Sequence, residues 1–274
     1  MDLLRDEPVN RYNLKKCMLA WIGLFLSVSV SATNMTDTDR EIWEEWNRYV
    51  SDLMAYDKEN PDPLESINRK IFVFNDSVDR MALAPIARGF DKITPDIAQR
   101  GIGNVFANLL EVTTILNDLL QLKFGQAASD GGRLVLNTTV GLFGLFDVAS
   151  AVGLEKHTED LGQTLGYWGV GSGPYVVVPF FGSYTFRDGL GAYGDIYTDY
   201  VSDLSHVPTR NQMWAVRILH RRASVFAAEG LITGDKYTFI RDAYLQRREY
   251  MVKDGLVKDT FGEEDTDWGD EEWD

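Results

Sequence analysis

The sequence predicts an all-α protein interrupted by one glycine- and aromatic-rich packed loop. Three observations carry that reading. Apolar residues recur every three or four positions through residues 64–81 and 95–120, the period of an amphipathic helix. Residues 161–184, LGQTLGYWGVGSGPYVVVPFFGSY, abandon that period for glycine, proline and aromatics, the composition of an ordered loop. Residues 134–146, LVLNTTVGLFGLF, carry no charge and are apolar on most sides, as in a helix set in a large core or in lipid.

The elements come in this order. Arg11, Lys15 and Lys16 precede an apolar run over residues 17–26 and then Val30-Ser31-Ala32. That is the layout of a signal peptide cut before Thr33, and the run is short of the ~20 residues of a membrane span. An amphipathic helix is expected over residues 37–54, with Ile42, Trp46, Tyr49, Val50 and Leu53 on its stripe. A charged, proline-containing linker at residues 57–63 ends this segment. Asp62 and Pro63 then look like the cap and first residue of a helix over 64–81, with Ile67, Ile71, Phe74 and Val78 on one stripe. Pro85 should end or kink any helix that continues past residue 81. Pro95 opens a long helix whose face runs through Ile102, Val105, Phe106, Leu109, Thr113, Leu116, Leu119 and Leu120, and Gly125 should break it.

A further helix is expected from near Ser129. Within the loop at 161–184, residues 175–178 have a short extended character, and Thr185 with Asp188 marks a new helix start. Helices over 210–229 and 235–252 complete the main domain, and an acidic tail comes after them that should be disordered and solvated. The chain thus divides into a signal peptide (1–32), an N-terminal helix and linker (33–60), a main domain (61–255) and the tail (256–274).

Composition excludes several functions. The formal net charge is −15 and no Lys/Arg cluster outweighs it, so no nucleic-acid partner is expected. Cys17 is the single cysteine, which leaves no Cys-based metal site and no intrachain disulfide. His157 reads as a solvated turn residue, His206 as a loop residue and His220 as part of an exposed helix face; no metal-binding spacing links them. Gly169-Val170-Gly171-Ser172-Gly173 is followed by Pro174 and Tyr175 and lacks the lysine and helix of a phosphate loop. These residues read as a structural loop. No catalytic group, metal or cofactor is expected, and hence no enzyme.

Two sets of residues remain as candidate sites. Asn68 and Asn75 lie seven apart, on one helix face with Phe74. Buried amides need partners, so they either bond to a neighbouring helix or line a polar passage. Gly141 and Gly144 flank Leu142 and Phe143 in the most apolar segment. They form either a hairpin tip set in lipid that gates a channel, or a close helix contact.

Five stretches, taken together and in order, resemble the MlaA/VacJ family: DPLESINRKIFVFN (62–75), NTTVGLFGLFDVA (137–149), LGQTLGYWGVGSGPYVVVPFFGS (161–183), TFRD (185–188) and RDAYLQR (241–247). The resemblance covers roughly residues 60–252. It implies a single helical ring-like domain whose amphipathic helices lie in one leaflet of the outer membrane, on its periplasmic side, around an amphipathic channel. It implies removal of misplaced phospholipid from the outer leaflet. The lipid passes to a periplasmic lipid-carrier protein, and an outer-membrane porin is a partner. A periplasmic lipid-binding or adaptor protein without membrane residence is the second reading. Family members are commonly lipoproteins, whereas Cys17 stands at the start of the apolar run instead of following it. Anchoring then falls to inserted apolar surface or to porin contact.

The layout of the leader predicts a mature chain that begins at Thr33 and carries no acyl group. Mass spectrometry of the exported protein checks this; an acylated N-terminal cysteine would overturn it.

Overall fold

The computed structural model of the chain describes residues 61–256 and the single residue Arg40. Apart from Arg40 and Leu256, the signal peptide, the expected helix at 37–54, most of the linker and the acidic tail lie outside the described residues.

Helix α1 (Glu65–Val78) runs through a π-helical turn (Asp79–Leu83) into α2 (Ala84–Ile93). Pro85 therefore does not end the helix. A proline removes one bond of the helical ladder and crowds the carbonyl four residues back; the wider π turn just before it absorbs that mismatch. Asp62 is not the cap expected for α1. The position before the helix is Leu64, and it makes no side-chain cap bond. The Asp62 carboxylate is instead buried, accepting from Asn68 Nδ2 at 2.8 Å and from the Tyr237 hydroxyl.

Helix α3 (Asp96–Leu120) starts after Pro95 as expected. It stops earlier than Gly125. Leu122 takes a left-handed φ of 64°, and Lys123 N–H bonds back to Asp118 O at 2.9 Å, which closes the helix as a Schellman turn. Gly125 falls inside α4 (Phe124–Thr139), and the apolar segment leaves the helix at Val140 instead of continuing to 146.

A single turn, α5 (Val148–Ala151), comes next, capped by Asp147 accepting from Ser150 N–H. Helix α6 (Leu161–Tyr167) occupies part of the expected loop. Asp160 caps it at 2.8 Å, and Gly162 permits the crossing with helix α7 (Phe186–Asp195). A Cβ on Gly191 would sit 2.3 Å from the Gly162 nitrogen, so these glycines serve close helix approach.

Strands β1 (Tyr175–Val178) and β2 (Gly182–Thr185) pair antiparallel, Tyr175 opposite Thr185 and Val178 opposite Gly182. The extended piece at 175–178 is thus present, and its partner strand is an addition to the sequence reading. Thr185 caps α7 by accepting from Asp188 N–H at 3.2 Å. The short α8 (Tyr200–Asp203) leads into α9 (Val207–Ser224), whose first turn His206 caps. The one-turn α10 (Phe226–Glu229) and α11 (Lys236–Val252) complete the fold.

Neighbour packs on neighbour around a closed circuit. α1 packs on β1, β2 on α7, α7 on α6, α6 on α3, α3 on α9, and α9 on α2, which continues from α1. The helical ring-like fold is therefore present, with a two-stranded hairpin set into it.

Burial runs opposite to that of a water-soluble domain. α3 buries Asn108, Glu111, Thr113, Thr114, Asn117 and Asp118, while Leu110, Val112, Leu116, Leu119 and Leu120 are exposed. α4 turns Asp130, Arg133 and Asn137 inward, one helix face at spacings of three and four. The apolar core is a small cluster of Tyr175, Val177 and Tyr237 with Ile71, Phe72, Tyr244 and Leu245. No helix among the described residues is long and apolar enough to cross a membrane.

The polar interior holds one proton against water's preference. Asp118 is fully buried, and its carboxyl group faces that of Asp130 with no donor from any other described residue. Burial, then the neighbouring Asp130, pushes its pKa up to about 8. An unfolded aspartate titrates near ~3.9. Between about pH 4 and pH 8 the folded chain thus retains a proton that the unfolded chain has released, so this contribution to stability is complete at low pH and is lost as pH rises to about 8. Asp118→Asn should therefore raise the melting temperature at pH 9 and change it little at pH 4.5. Thermal melts at both values check this; an equal change at both would sink it.

Candidate functional site

The loop after α4 carries three successive left-handed residues. Leu142 has φ 53°, Phe143 58° and Gly144 86°. Only glycine takes this conformation without strain; for leucine and phenylalanine it costs roughly 1–2 kcal/mol each. Backbone bonds fold the loop tightly, from Phe143 N–H to Thr138 O at 3.0 Å, Gly144 N–H to Asn137 O at 2.8 Å, and Phe146 N–H to Gly141 O at 2.9 Å. Both glycines are required by close approach. A Cβ on Gly141 would lie 2.3 Å from Phe146 O, and one on Gly144 would lie 2.5 Å from Asn108 Cβ.

Behind the loop stands a buried polar anchor. Asn104 Nδ2 donates to Leu145 O at 3.2 Å, and Asn108 Nδ2 donates to Thr138 Oγ1 at 3.0 Å. Asn137 donates to Asp147 and accepts from Ala149 N–H at 2.9 Å. Arg133, 1% exposed, donates to Glu111, Ser150, Leu154 O and Asp147. Burial opposes the charge on Asp147, yet bonds from Ser150 and Asn137 and the Arg133 charge outweigh it and hold the pKa at about 2. In front, the loop presents Val140, Leu142, Phe143, Leu145 and Phe146, with Phe143 78% exposed. It is an apolar tip, strained in its backbone and tied down by polar bonds.

Asn68, Phe74 and Asn75 form a second group, at the hairpin. Asn68 Nδ2 donates to Tyr175 O at 2.9 Å and its Oδ1 accepts from Val177 N–H at 2.9 Å. Asn75 repeats the motif further along the hairpin, donating to Val178 O at 3.0 Å and accepting from Phe180 N–H at 2.8 Å. The two amides take the place of a strand along the free edge of β1. Their partners here are hairpin backbone, in place of the interhelical bonds expected from the sequence. Phe74 meets Phe180 edge-on at 5.2 Å, and Phe180 and Phe181 stand exposed at the hairpin turn. The structure thus brings Gly141–Gly144 together against α3, and Asn68–Asn75 together against β1, as separate groups.

The glycine loop is structural in its bonding. Gly169 and Gly173 take positive φ, Ser172 O accepts from Arg187 N–H, and Pro174 O accepts from Phe186 N–H. Gly171 lies between them, and Tyr175 is wholly buried. His157 and His220 are less exposed than expected. His157 Nδ1 lies 3.1 Å from the buried Asp130, and His206 caps α9. His220 packs over Gly103, with Nε2 3.1 Å from Gln99 O, and burial lowers its pKa. Among the described residues no group of three His, Cys, Asp or Glu is arranged for a metal ion.

The polar anchor is absent from the sequence reading, although its signal is present: Asp130, Arg133 and Asn137 repeat at helical spacing beside an otherwise apolar segment.

The family model described as "MlaA lipoprotein" matches residues 60–251. The intermembrane phospholipid transport system lipoprotein MlaA of Escherichia coli K12 is 35% identical over 203 residues, covering 72% of this chain and 80% of that protein. The Haemophilus influenzae protein of the same description is 30% identical over 209 residues, 73% of this chain and 82% of its own. A Rickettsia typhi protein described as uncharacterised is 41% identical over 199 residues, 70% and 78% respectively. A solved structure from work on the structural basis for maintenance of bacterial outer membrane lipid asymmetry superposes with a TM-score of 0.63 at 34% identity, covering 70% of this chain and 98% of that one. By family model, sequence and fold alike, the chain belongs to the MlaA lipoprotein family.

Proposed function

We propose that this protein transports phospholipid between membranes, removing misplaced phospholipid from the outer leaflet of the outer membrane and so maintaining lipid asymmetry. The observation that supports this reading best is the reversed burial: amides, carboxylates and guanidinium groups inside, and leucine, isoleucine and phenylalanine outside. Large exposed apolar surfaces on a water-soluble monomer are rare and mark contact with another apolar phase. A ring whose rim suits lipid tails and whose interior is polar solves the transfer problem physically. The charged headgroup needs a polar route, because moving it through hydrocarbon carries a large desolvation cost.

In this reading the ring sits on the periplasmic side of the outer membrane, embedded in one leaflet by its apolar rim. An outer-membrane porin holds it in place, and a periplasmic lipid-carrier protein accepts the lipid. Transfer involves no bond making or breaking, and no residue is assigned a catalytic role. A periplasmic adaptor without membrane residence would have no use for so much outward-facing leucine and phenylalanine.

The loop at 141–146 acts as the gate. Its backbone is held in a costly conformation by polar bonds on one side, and its apolar tip is free on the other. A segment of stored strain is suited to switching between two arrangements.

The test uses Phe143→Gly. Glycine accepts a φ of 58° without strain, so the melting temperature should hold or rise, by up to ~1 kcal/mol in stability. Loss of the apolar tip and of the strain should raise outer-leaflet phospholipid in cells. Normal asymmetry in cells carrying this variant, with normal protein levels, would remove the gate. Normal asymmetry in cells lacking the whole protein would remove the transport reading itself.

A further inference from the structure

A cavity of about 510 Å³ lies where the π turn, α2, α9, α10 and the start of α11 converge. That is within the usual range for a small-molecule site. Its wall includes Arg80, Arg88, Arg222 and Lys236, with Asp79 and Glu229. In a chain of net charge −15, four cations from four elements meet here.

The carboxylates nearby are already engaged. Asp79 accepts from Arg222 Nε and Nη2 at 2.7 and 2.8 Å, and Glu229 accepts from Nη2 at 2.6 Å. Asp76 serves both Arg80, at 3.0 Å, and Lys236, at 2.6 Å. Three carboxylates thus face four cations. Arg88 is the one in excess: it stacks over Phe226 with Cζ 5.4 Å from the ring centre and makes no ion pair among the described residues.

Arg222 stacks on the same ring at 4.5 Å, so two guanidinium groups converge on Phe226. Like charges brought together repel unless an anion lies between or beside them. Arg222 also keeps one donor idle, since its Nη1 is buried with no hydrogen-bond partner among the described residues. An idle buried donor is costly, and a charged one most of all.

The geometry points to a binding site for a phosphate group in this cavity, and we infer that its natural source is the phosphodiester of a glycerophospholipid. The chemistry is that of guanidinium forks and an ammonium around tetrahedral oxygens. Arg222 is fixed by Asp79 and Glu229 and contributes its charge to the wall. Arg88 and Lys236 supply the charge that has no full counterpart in the protein. The lipid assignment rests on the transport reading; the phosphate site does not.

The experiment uses the mature protein in detergent micelles and isothermal titration with four probes: dihexanoyl phosphatidylglycerol, dihexanoylglycerol, glycerophosphoglycerol and inorganic phosphate. The phosphatidylglycerol should bind and the uncharged dihexanoylglycerol should not. Arg88→Gln should weaken binding of the former about tenfold, and Arg88→Lys should restore most of it, with melting temperatures unchanged because Arg88 is exposed. Should Arg88→Gln unfold the protein, Lys236→Gln takes its place with the same expected loss. Saturation by inorganic phosphate alone would keep the site and assign it to the free anion; binding only of the lipid and of glycerophosphoglycerol assigns it to the headgroup. Equal binding of the charged and uncharged lipids, or unchanged affinity in the arginine variant, would overturn the site. Loss of the transport phenotype's link to this protein, with these affinities intact, would remove only the lipid source.

Discussion

The ring is held by buried guanidinium groups, and the rest of the structure depends on them. Where the outward face of a helix is leucine and phenylalanine, packing that face against lipid or against protein differs little in free energy, so cohesion must come from polar bonds and close contact. Arg248 joins three helices: Nη1 donates to Asp160 at 2.6 Å, Nη2 donates to Asp188 at 2.9 Å, and the residue itself belongs to α11. Burial disfavours its charge, but the two carboxylates outweigh burial and raise its pKa. Arg217 clamps Asp199 with both Nη atoms at 2.9 Å and stacks between Phe106 and Trp214. Arg133 does the same service for α3, α4 and the Asp147 turn. Removing one member of such a pair leaves the other charge buried alone, at a cost of roughly 3–5 kcal/mol.

Two of the carboxylates that receive these arginines are also helix caps. Asp160 starts α6 and binds Arg248; Asp147 starts α5 and binds Arg133. Local helix initiation and closure of the ring therefore use the same atoms. Between α3, α6 and α7 a chain of neutral and acidic groups does this work. Gln121 donates to Glu159 and Thr164, Thr164 donates to Asn117, and Leu161 N–H meets Asp195. Burial, ahead of the nearby Asp160 charge, pushes Asp195 up to about 6, so this joint is less fully charged than its arginine-bound counterparts near neutral pH.

Helical periodicity in the sequence locates α1, α3, α9 and α11 to within a few residues. It carries no information about which face points inward. The stripe Leu109, Leu116, Leu119 and Leu120 on α3 has a clear period, but its sign depends on the solvent, and here the opposite face with Asn108, Glu111 and Asp118 is the buried one. Leu122, Leu142 and Phe143 are illegible for a different reason. Their left-handed backbone is imposed by tertiary bonds, and leucine and phenylalanine carry no preference for it. Gly125 misleads for the complementary reason: a glycine permits a break without requiring one. Apart from Asp62, the partners of Asn68 and Asn75 lie more than a hundred residues away on the hairpin backbone, beyond any local pattern. The tip itself is readable, since Gly141 and Gly144 around Leu-Phe already imply a tight apolar turn.

The energetics of that tip come from its two sides. Two strained residues store a few kcal/mol between them, at roughly 1–2 kcal/mol each. The bonds that oppose release are Asn104 to Leu145 O, Asn108 to Thr138, and the backbone pair joining Gly144 to Asn137, each worth about 1 kcal/mol net. With the backbone bonds from Phe143 N–H to Thr138 O and from Phe146 N–H to Gly141 O added, the bonds exceed the strain. Asn108 Oδ1 is moreover buried without a partner among the described residues. Arg133, Asp147 and α5 lie behind these tethers and are joined by charge-assisted bonds, so the strained tip rests on a charged, buried anchor.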